Sequence, residues 1–206
     1  MHARVARFEG ARPEQADEAI RIVRERYLPD FKGQPGFAGY LLLIDRERGT
    51  SLGVTLFDTE EALEAGNRVL DEMTPPPEFR DIRRTSVERY EVACQEAEGE
   101  ARSARVTGFE GPPERIDEGT RYAEENVLPT ARQIEGWQGC LSLVDRSSGK
   151  SLLVTLWKSQ GALRASEDQA DRLRRQTAEG GGETITGVER YEVAIQEVVV
   201  RAGVGR

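Results

Sequence analysis

The sequence predicts an α+β protein composed of two copies of one βαββαβ unit. The main observation is an internal repeat with a period of about a hundred residues. In it, residues 54–57 (VTLF) return as 154–157 (VTLW), and residues 87–93 (VERYEVA) return as 188–194. The matches stay in order along the whole unit, and each copy has the length of a small domain. Each copy also contains strand and helix patterns in the order β-α-β-β-α-β, the arrangement of ferredoxin-like folds.

The first part of each copy predicts a strand followed by an amphipathic helix. Residues 4–8 form a short strand candidate, and Pro13 stands where a helix can begin without an N–H group. Apolar residues then recur at helical spacing between residues 16 and 27. Pro29 and its equivalent Pro129 are expected to end or kink this helix.

The second part predicts a hairpin, a helix and a final strand. Residues 40–44 and 52–57 are apolar runs joined by a polar turn that contains Gly49, which suits positive φ. A helix is expected over residues 60–73, and a last strand over residues 87–93.

The repeat sets the expected domain boundaries. We predict one half at residues 1–96, a small and polar linker at 97–103, and a second half at 104–200. The strand at 40–44 is apolar at both parities, so both faces of its sheet should be covered. The run from Gly180 to Gly182 is expected to be a flexible connection.

Composition excludes several classes of function. The net charge of −8 with interspersed acids and bases disfavours nucleic acid, and no apolar run reaches the roughly 20 residues of a membrane span. A signal peptide is not visible, so the cytoplasm is the expected location. Cys94 and Cys140 are too few for a disulfide framework or a zinc quartet. The only histidine is His2, so the commonest metal ligand and general base is missing elsewhere.

The strand end at 154–157 that leads into a helix, together with the closing residues 189–193 (ERYEV), resembles the dimeric α+β barrel superfamily. The branch it is most similar to is the antibiotic-biosynthesis-monooxygenase-like family, and the resemblance covers both copies. It implies two ferredoxin-like halves that form an intramolecular dimeric α+β barrel, a pseudo-dimer within one chain. The chain would then be a monomer or form a further homodimer.

The resemblance implies cofactor-independent oxygenation or haem degradation, and many members of the family have no assigned role. Haem degradation in this family is associated with a histidine on the second helix, and neither 60–73 nor 160–173 contains one. Asn67 lies on that helix rather than on the first strand, where the accompanying asparagine would be expected. We therefore expect neither cofactor nor metal.

Cofactor-free oxygenation needs an apolar pocket between helices and sheet, polar groups that ionise a phenol, and access for O₂. No catalytic residue is identified, and core packing or ion pairing with a glutamate explains several candidates equally well. The candidates for substrate binding are Tyr40, Phe57, Trp137, Trp157, Tyr191 and Arg190. Because copy two has tryptophans where copy one has phenylalanines, it is the half in which a site is first expected.

The predicted function is binding of a small hydrophobic or aromatic molecule. If the protein is an enzyme, we expect a cofactor-independent monooxygenase that acts on an aromatic or quinol-type substrate. The alternative is a non-catalytic ligand-binding or stress-related protein, and an isomerase or decarboxylase on the same scaffold is a third possibility. The absence of a nucleophile–base pair favours the non-catalytic alternative.

Overall fold

The computed structural model describes residues 1–198, except for the side chain of Val198. These residues divide into two compact units. Unit 1 comprises residues 1–88 and 194–198, and unit 2 comprises residues 89–193.

Strands and helices follow the predicted β-α-β-β-α-β order in both copies. The strands are β1 (His2–Glu9), β2 (Phe37–Asp45), β3 (Thr50–Phe57), β4 (Arg83–Ala97), β5 (Ser103–Glu110), β6 (Trp137–Asp145), β7 (Lys150–Trp157) and β8 (Thr184–Val198). The α-helices are α1 (Ala16–Ile22), α2 (Leu28–Lys32), α3 (Glu60–Glu72), α4 (Ile116–Tyr122), α5 (Leu128–Ala131), α6 (Gln160–Ala165) and α7 (Glu167–Gly181). The fold class is therefore α+β, as predicted.

The sheet of unit 1 is an antiparallel meander in which β3 pairs with both β1 and β2. Thr55 lies opposite Arg4 on one side and Tyr40 on the other, so these three side chains lie at one level of the sheet. The hydroxyl of Thr85 donates to the Arg7 carbonyl and brings the first part of β4 beside β1.

Both faces of β2 are buried, as its doubly apolar sequence predicts. Leu41 and Leu43 on one face are 2% and 0% exposed, and Tyr40 and Leu42 on the other are 6% and 7% exposed. The second pair packs with Phe31 and the helices that precede β2. This packing defines the helix-covered face of the unit 1 sheet.

In unit 2 the strand order is β8-β5-β7-β6-β4, and all neighbours are antiparallel. The last strand of the first copy is longer than the predicted 87–93, because residues 91–97 continue as the partner of β6. The sequence pattern alone does not reveal such an extension, because most of the added residues are only half-buried and show no clear apolar alternation.

The first helix of each copy is interrupted by a π-helical turn, Val23–Tyr27 in one and Ala123–Val127 in the other. Pro29 follows, and it has no N–H to donate to the residue four positions earlier. The N–H of Leu28 bonds instead to the carbonyl of Val23, five positions back. The prolines therefore distort this helix without ending it.

The second helices of the two copies differ in length. Helix α3 ends at Glu72, shortly before three prolines at 75–77, whereas α7 continues to Gly181. The prediction of a flexible connection at 180–182 is wrong, because Gly180 and Gly181 belong to α7 and Gly182 ends it with φ of 67°. A side chain at Gly180 would overlap the Tyr122 ring, so the glycine allows α7 to pack on α4.

The predicted halves, 1–96 and 104–200, follow the sequence repeat and not the compact units. Residues 199 and 200 of the second predicted half lie outside the described part of the chain. Among residues 1–198, none of the helices has both the length and the apolar character to cross a membrane.

Candidate functional site

A cavity of about 410 Å³ lies in unit 1 between the sheet and its helices. Strands β1, β2 and β3 form its floor, and the first helix and the end of α3 form its walls. This volume accommodates a small organic molecule.

Five aromatic side chains line much of the cavity. The Phe31 and Tyr40 rings have centroids 5.1 Å apart and are tilted by 55°. Tyr27 stacks at 6.2 Å on both Phe31 and Phe79, and Phe8 also lines the cavity. These rings present flat apolar surfaces that suit an aromatic ligand.

The open space at the centre of the floor depends on Gly53 of β3. A Cβ at this position would lie 3.3 Å from the Tyr40 hydroxyl and 3.9 Å from the Phe8 ring. The equivalent residue in copy two is Leu153, which packs against a core cluster of unit 2. Glycine inside a strand often marks a position where a ligand or another group approaches closely.

One wall of the cavity carries a network of charged and amide groups. Arg4, only 5% exposed, donates its Nε–H to Asn67 Oδ1 at 2.8 Å and one terminal N–H to Asp71 Oδ1 at 3.0 Å. Arg84 donates to the same Asp71 oxygen at 2.7 Å, and Asn67 Nδ2 donates to the other at 3.1 Å. Two guanidinium groups thus share one carboxylate.

The pKa shifts along this wall argue against a strong general base. Burial raises the pKa of the Asp71 carboxyl, but hydrogen bonds and charges from Arg4 and Arg84 outweigh burial and lower it overall. Burial raises the pKa of Tyr40 and of Tyr27, so both phenols stay protonated at neutral pH. A bound ligand would therefore be ionised by stabilisation of its anion and not by a strong base.

Two of the predicted site residues, Trp137 and Trp157, pack in the core of unit 2. Their rings meet edge to face with centroids 5.8 Å apart, and they are 5% and 1% exposed. The Trp157 indole N–H donates to Thr155 Oγ1 at 3.0 Å, and the Arg105 guanidinium lies 5.4 Å from the ring centroid. In this arrangement both rings are packing residues.

Two further candidates, Arg190 and Tyr191, are also in unit 2. Arg190 makes two hydrogen bonds to Glu167, at 3.1 and 2.6 Å, so its glutamate partner is on α7 and not on a neighbouring strand. The Tyr191 hydroxyl donates to Glu189 at 3.0 Å. Phe57 of unit 1 is fully buried against Gly66 of α3.

Of the six candidates, Tyr40 is the one that lines the cavity. Four cavity-lining residues were not predicted from the sequence: Arg4, Gly53, Asp71 and Arg84. Signals exist for two of them, a glycine inside an apolar strand at position 53 and an arginine between apolar residues in β1. Within residues 1–198, no cluster of three or more histidine, cysteine, aspartate or glutamate side chains is placed to hold a metal ion.

Comparison with known sequences finds relatives that have no assigned function. No family model matches the chain. The uncharacterized protein Rv2557 of Mycobacterium tuberculosis is 28% identical over 200 residues, which cover 92% of this chain and 86% of the relative. The uncharacterized protein Rv2558 of the same organism is 22% identical over 204 residues, which cover 97% and 86%.

Solved structures with a similar fold cover nearly the whole chain. An anthrone oxidase-like protein superposes with a TM-score of 0.62 at 16% identity, over 96% of this chain and 91% of its own. The heme-degrading enzyme LmHde from Listeria monocytogenes gives 0.54 at 12% identity, over 93% and 99%. A ferredoxin-fold protein related to antibiotic biosynthesis monooxygenases, from the same species, gives 0.53 at 11% identity, over 93% and 94%. The chain therefore has the fold of the antibiotic-biosynthesis-monooxygenase-like proteins, which confirms at the level of the fold the resemblance predicted from its sequence.

Proposed function

We propose that unit 1 binds a small aromatic molecule in the cavity above Gly53. The observation that carries this proposal is an apolar cavity of about 410 Å³ lined by aromatic rings and bordered on one wall by the Arg4–Asp71–Arg84 network. Pockets of this kind, apolar with a few convergent polar groups, are typical ligand sites.

A second candidate function is cofactor-independent oxygenation of an aromatic or quinol-type molecule in the same cavity. It is supported by the likeness of the fold to an anthrone oxidase-like protein. In such a reaction the ionised substrate itself reduces O₂. A ring CH₂ group loses two hydrogen atoms and gains one oxygen atom as a carbonyl, and the second oxygen atom leaves as water.

The weak basicity of Asp71 limits this second candidate to substrates that ionise easily. Arg4 would then stabilise the anion next to the Tyr40 ring, since both residues lie at the same level of the sheet. Without such a substrate the protein acts as a non-catalytic binding protein.

The test of binding is calorimetric titration with a panel of hydroquinones and anthrones. Gly53→Leu places a side chain in the cavity and should abolish binding. The matched control is Gly187→Leu on β8, where a Cβ meets no atom within 4 Å and the residue is exposed. Equal affinities in Gly53→Leu and the wild type would contradict the assignment of this cavity.

Oxygen uptake tests the catalytic candidate separately. The same panel is incubated with the protein without added metal or flavin, and uptake is recorded for the wild type and both variants. Uptake that is lost in Gly53→Leu and kept in Gly187→Leu supports oxygenation. Binding without uptake favours the non-catalytic alternative.

The intramolecular pseudo-dimer also belongs to this proposal. It is supported by the sequence repeat and by the burial of both faces of β2. Light scattering distinguishes its two forms: the mass of one chain indicates a monomeric pseudo-dimer, and twice that mass indicates a further homodimer.

A further inference from the structure

The charged groups on the cavity wall are unevenly matched. Arg4 and Arg84 line the cavity and share one oxygen of Asp71, at 3.0 and 2.7 Å, while the other Asp71 oxygen accepts from the neutral amide of Asn67. Two positive charges therefore meet one negative charge. This excess of one positive charge stands out in a protein whose net charge is −8.

The remaining charges around the cavity do not cancel this excess, because they are matched among themselves. Arg46 bonds to Asp17 at 2.8 Å, and Arg12 lies 3.9 Å from Asp81. The Asp45 carboxylate lies 3.7 Å from Arg48 Nε and also accepts from the backbone N–H groups of residues 47 and 48 at 3.0 Å. The unbalanced charge thus lies at Arg4 and Arg84.

Burial affects mainly the Arg4 part of this network, because the side chains of Arg84 and Asp71 are 38% and 40% exposed. The Arg4 side chain is 6% exposed, and burial together with the charge of Arg84 lowers the pKa of its guanidinium. An arginine remains ionised even so. A negatively charged ligand group at this wall would gain charge-assisted hydrogen bonds from both guanidinium groups, of which Arg4 is buried and Arg84 is 38% exposed.

Arg4 lies beside the aromatic part of the cavity. Arg4 and Tyr40 lie on either side of Thr55 at the same level of the sheet, and all three line the cavity. The Arg4 guanidinium has five N–H donors, of which Asn67 and Asp71 use two. A ring that stacks between Tyr40 and the helices can therefore present an oxyanion to Arg4.

We propose that the unit 1 cavity selects aromatic ligands that carry one negative charge, as a carboxylate or an ionised phenol, held by Arg4 and Arg84. This inference rests on the proposed function, because it names the class of ligand for the same cavity. The inference goes beyond the proposed function because charge, and not ring size, becomes the main determinant of which ligand binds.

The experiment compares ligands that differ in charge and match in shape. Calorimetric titrations use 2-naphthoate and its neutral counterpart 2-naphthamide, and a third arm uses 2,4-dinitro-1-naphthol, which is ionised at neutral pH. We expect 2-naphthoate to bind at least about tenfold more tightly than the amide, since a charge-assisted hydrogen bond is roughly twice as strong as a neutral one. If only the naphthoate binds more tightly than the amide, the preferred ligand group is a carboxylate. If both anions bind more tightly than the amide by similar factors, the cavity accepts any oxyanion on an aromatic ring.

Variants of Arg84 show whether this wall causes the preference. Arg84→Gln should reduce the ratio of naphthoate to naphthamide affinity to near one. Arg80→Gln is the matched control, since it removes a nearby exposed positive charge that does not line the cavity and should leave the ratio unchanged. If Arg84→Gln does not fold, Arg84→Lys keeps the charge without the planar fork and should give an intermediate ratio.

The outcomes separate this inference from the proposed function. Equal affinities for the naphthoate and the amide in the wild type contradict selection by charge and leave binding in the cavity intact. An unchanged ratio in Arg84→Gln also contradicts it. If none of the three ligands binds, and the hydroquinone and anthrone panel also fails, both proposals are wrong.

Discussion

The hydroxyl of Tyr40 on β2 lies directly over Gly53 on β3, where a Cβ would be only 3.3 Å from the phenol oxygen. The space for the cavity and the burial of this hydroxyl thus depend on the same pair of residues. In copy two the pair is replaced by Cys140 and Leu153, a small thiol and a larger aliphatic side chain. In copy one the larger side chain is on β2, and in copy two it is on β7. The two copies therefore differ in side-chain packing at this level of the sheet.

Burial of Tyr40 predicts a loss of stability at alkaline pH that depends on this one phenol. Its pKa is raised in the folded protein because burial disfavours the charged form. A group of this kind stabilises the fold fully below its unfolded pKa of about 10, and this contribution is lost as the pH rises above that value. Tyr40→Phe should therefore show a shallower decline of unfolding free energy above about pH 10 than the wild type. Urea unfolding across the alkaline range measures both slopes, and identical slopes would contradict the prediction.

Most of the fold could be predicted from the sequence, because its signals are local and repeated. The hairpin of β2 and β3 was visible from two apolar runs and Gly49, which has φ of 65° in the turn. The length of β4 was not visible, because residues 94–97 are half-buried and extend only by pairing with a strand distant in sequence. The ends of strands depend on such long-range partners more than on propensity.

The position of the candidate site could not be predicted from the aromatic residues of the sequence. Trp137 and Trp157 were predicted to bind substrate, but their rings pack edge to face in the unit 2 core, where Trp157 also contacts Thr155 and Arg105. Aromatic bulk in a sequence does not tell whether the ring borders a cavity or fills it. The open space depends on the missing side chain at Gly53, and a single glycine inside a strand is a weak signal.

Gly66 on α3 should tolerate no side chain. A Cβ there would overlap the ring of Phe57, which is fully buried. Gly66→Ala should lower the free energy of unfolding by roughly 1–3 kcal/mol, the usual cost of overpacking. The matched variant is Gly161→Ala on α6, where the nearest atom is 3.7 Å away. It should be neutral or stabilising by up to about 1 kcal/mol, since alanine is the better helix former. Chemical denaturation of the two variants decides the matter, and equal effects would speak against close packing at Gly66.

Glu167 at the start of α7 should stabilise unit 2 in a pH-dependent way. Its carboxylate accepts from Arg105 at 3.0 Å and from Arg190 at 2.6 Å. Burial acts to raise its pKa, but these arginines outweigh burial and lower it to about 2. The stabilising contribution is then present above the ordinary pKa of 4.5 and is lost as the pH falls toward 2.

Glu167→Gln should therefore destabilise the protein at neutral pH by roughly 1–3 kcal/mol, discounted toward the lower end because the side chain is about one-third exposed. The difference from the wild type should shrink as the pH is lowered below 4.5. Urea unfolding at a series of pH values measures it. Glu179→Gln, at an exposed position of the same helix, should follow the wild type throughout. A constant difference at all pH values would show that the ion pairs do not cause the effect.

The two cysteines of unit 2 should differ strongly in reactivity. Interaction with Cys140 lowers the pKa of Cys94, whereas the same interaction and burial raise the pKa of Cys140, and the Cys94 thiol itself donates to Glu96 Oε1 at 3.9 Å. Cys94 is half-buried and Cys140 is 1% exposed. Because the thiolate is the reactive form, iodoacetamide should modify Cys94 first and Cys140 only after denaturation. Mass spectrometry of tryptic peptides over time measures both rates. Cys94→Ser should abolish the fast phase of modification. Comparable rates at the two positions in the native protein would contradict the predicted difference in reactivity.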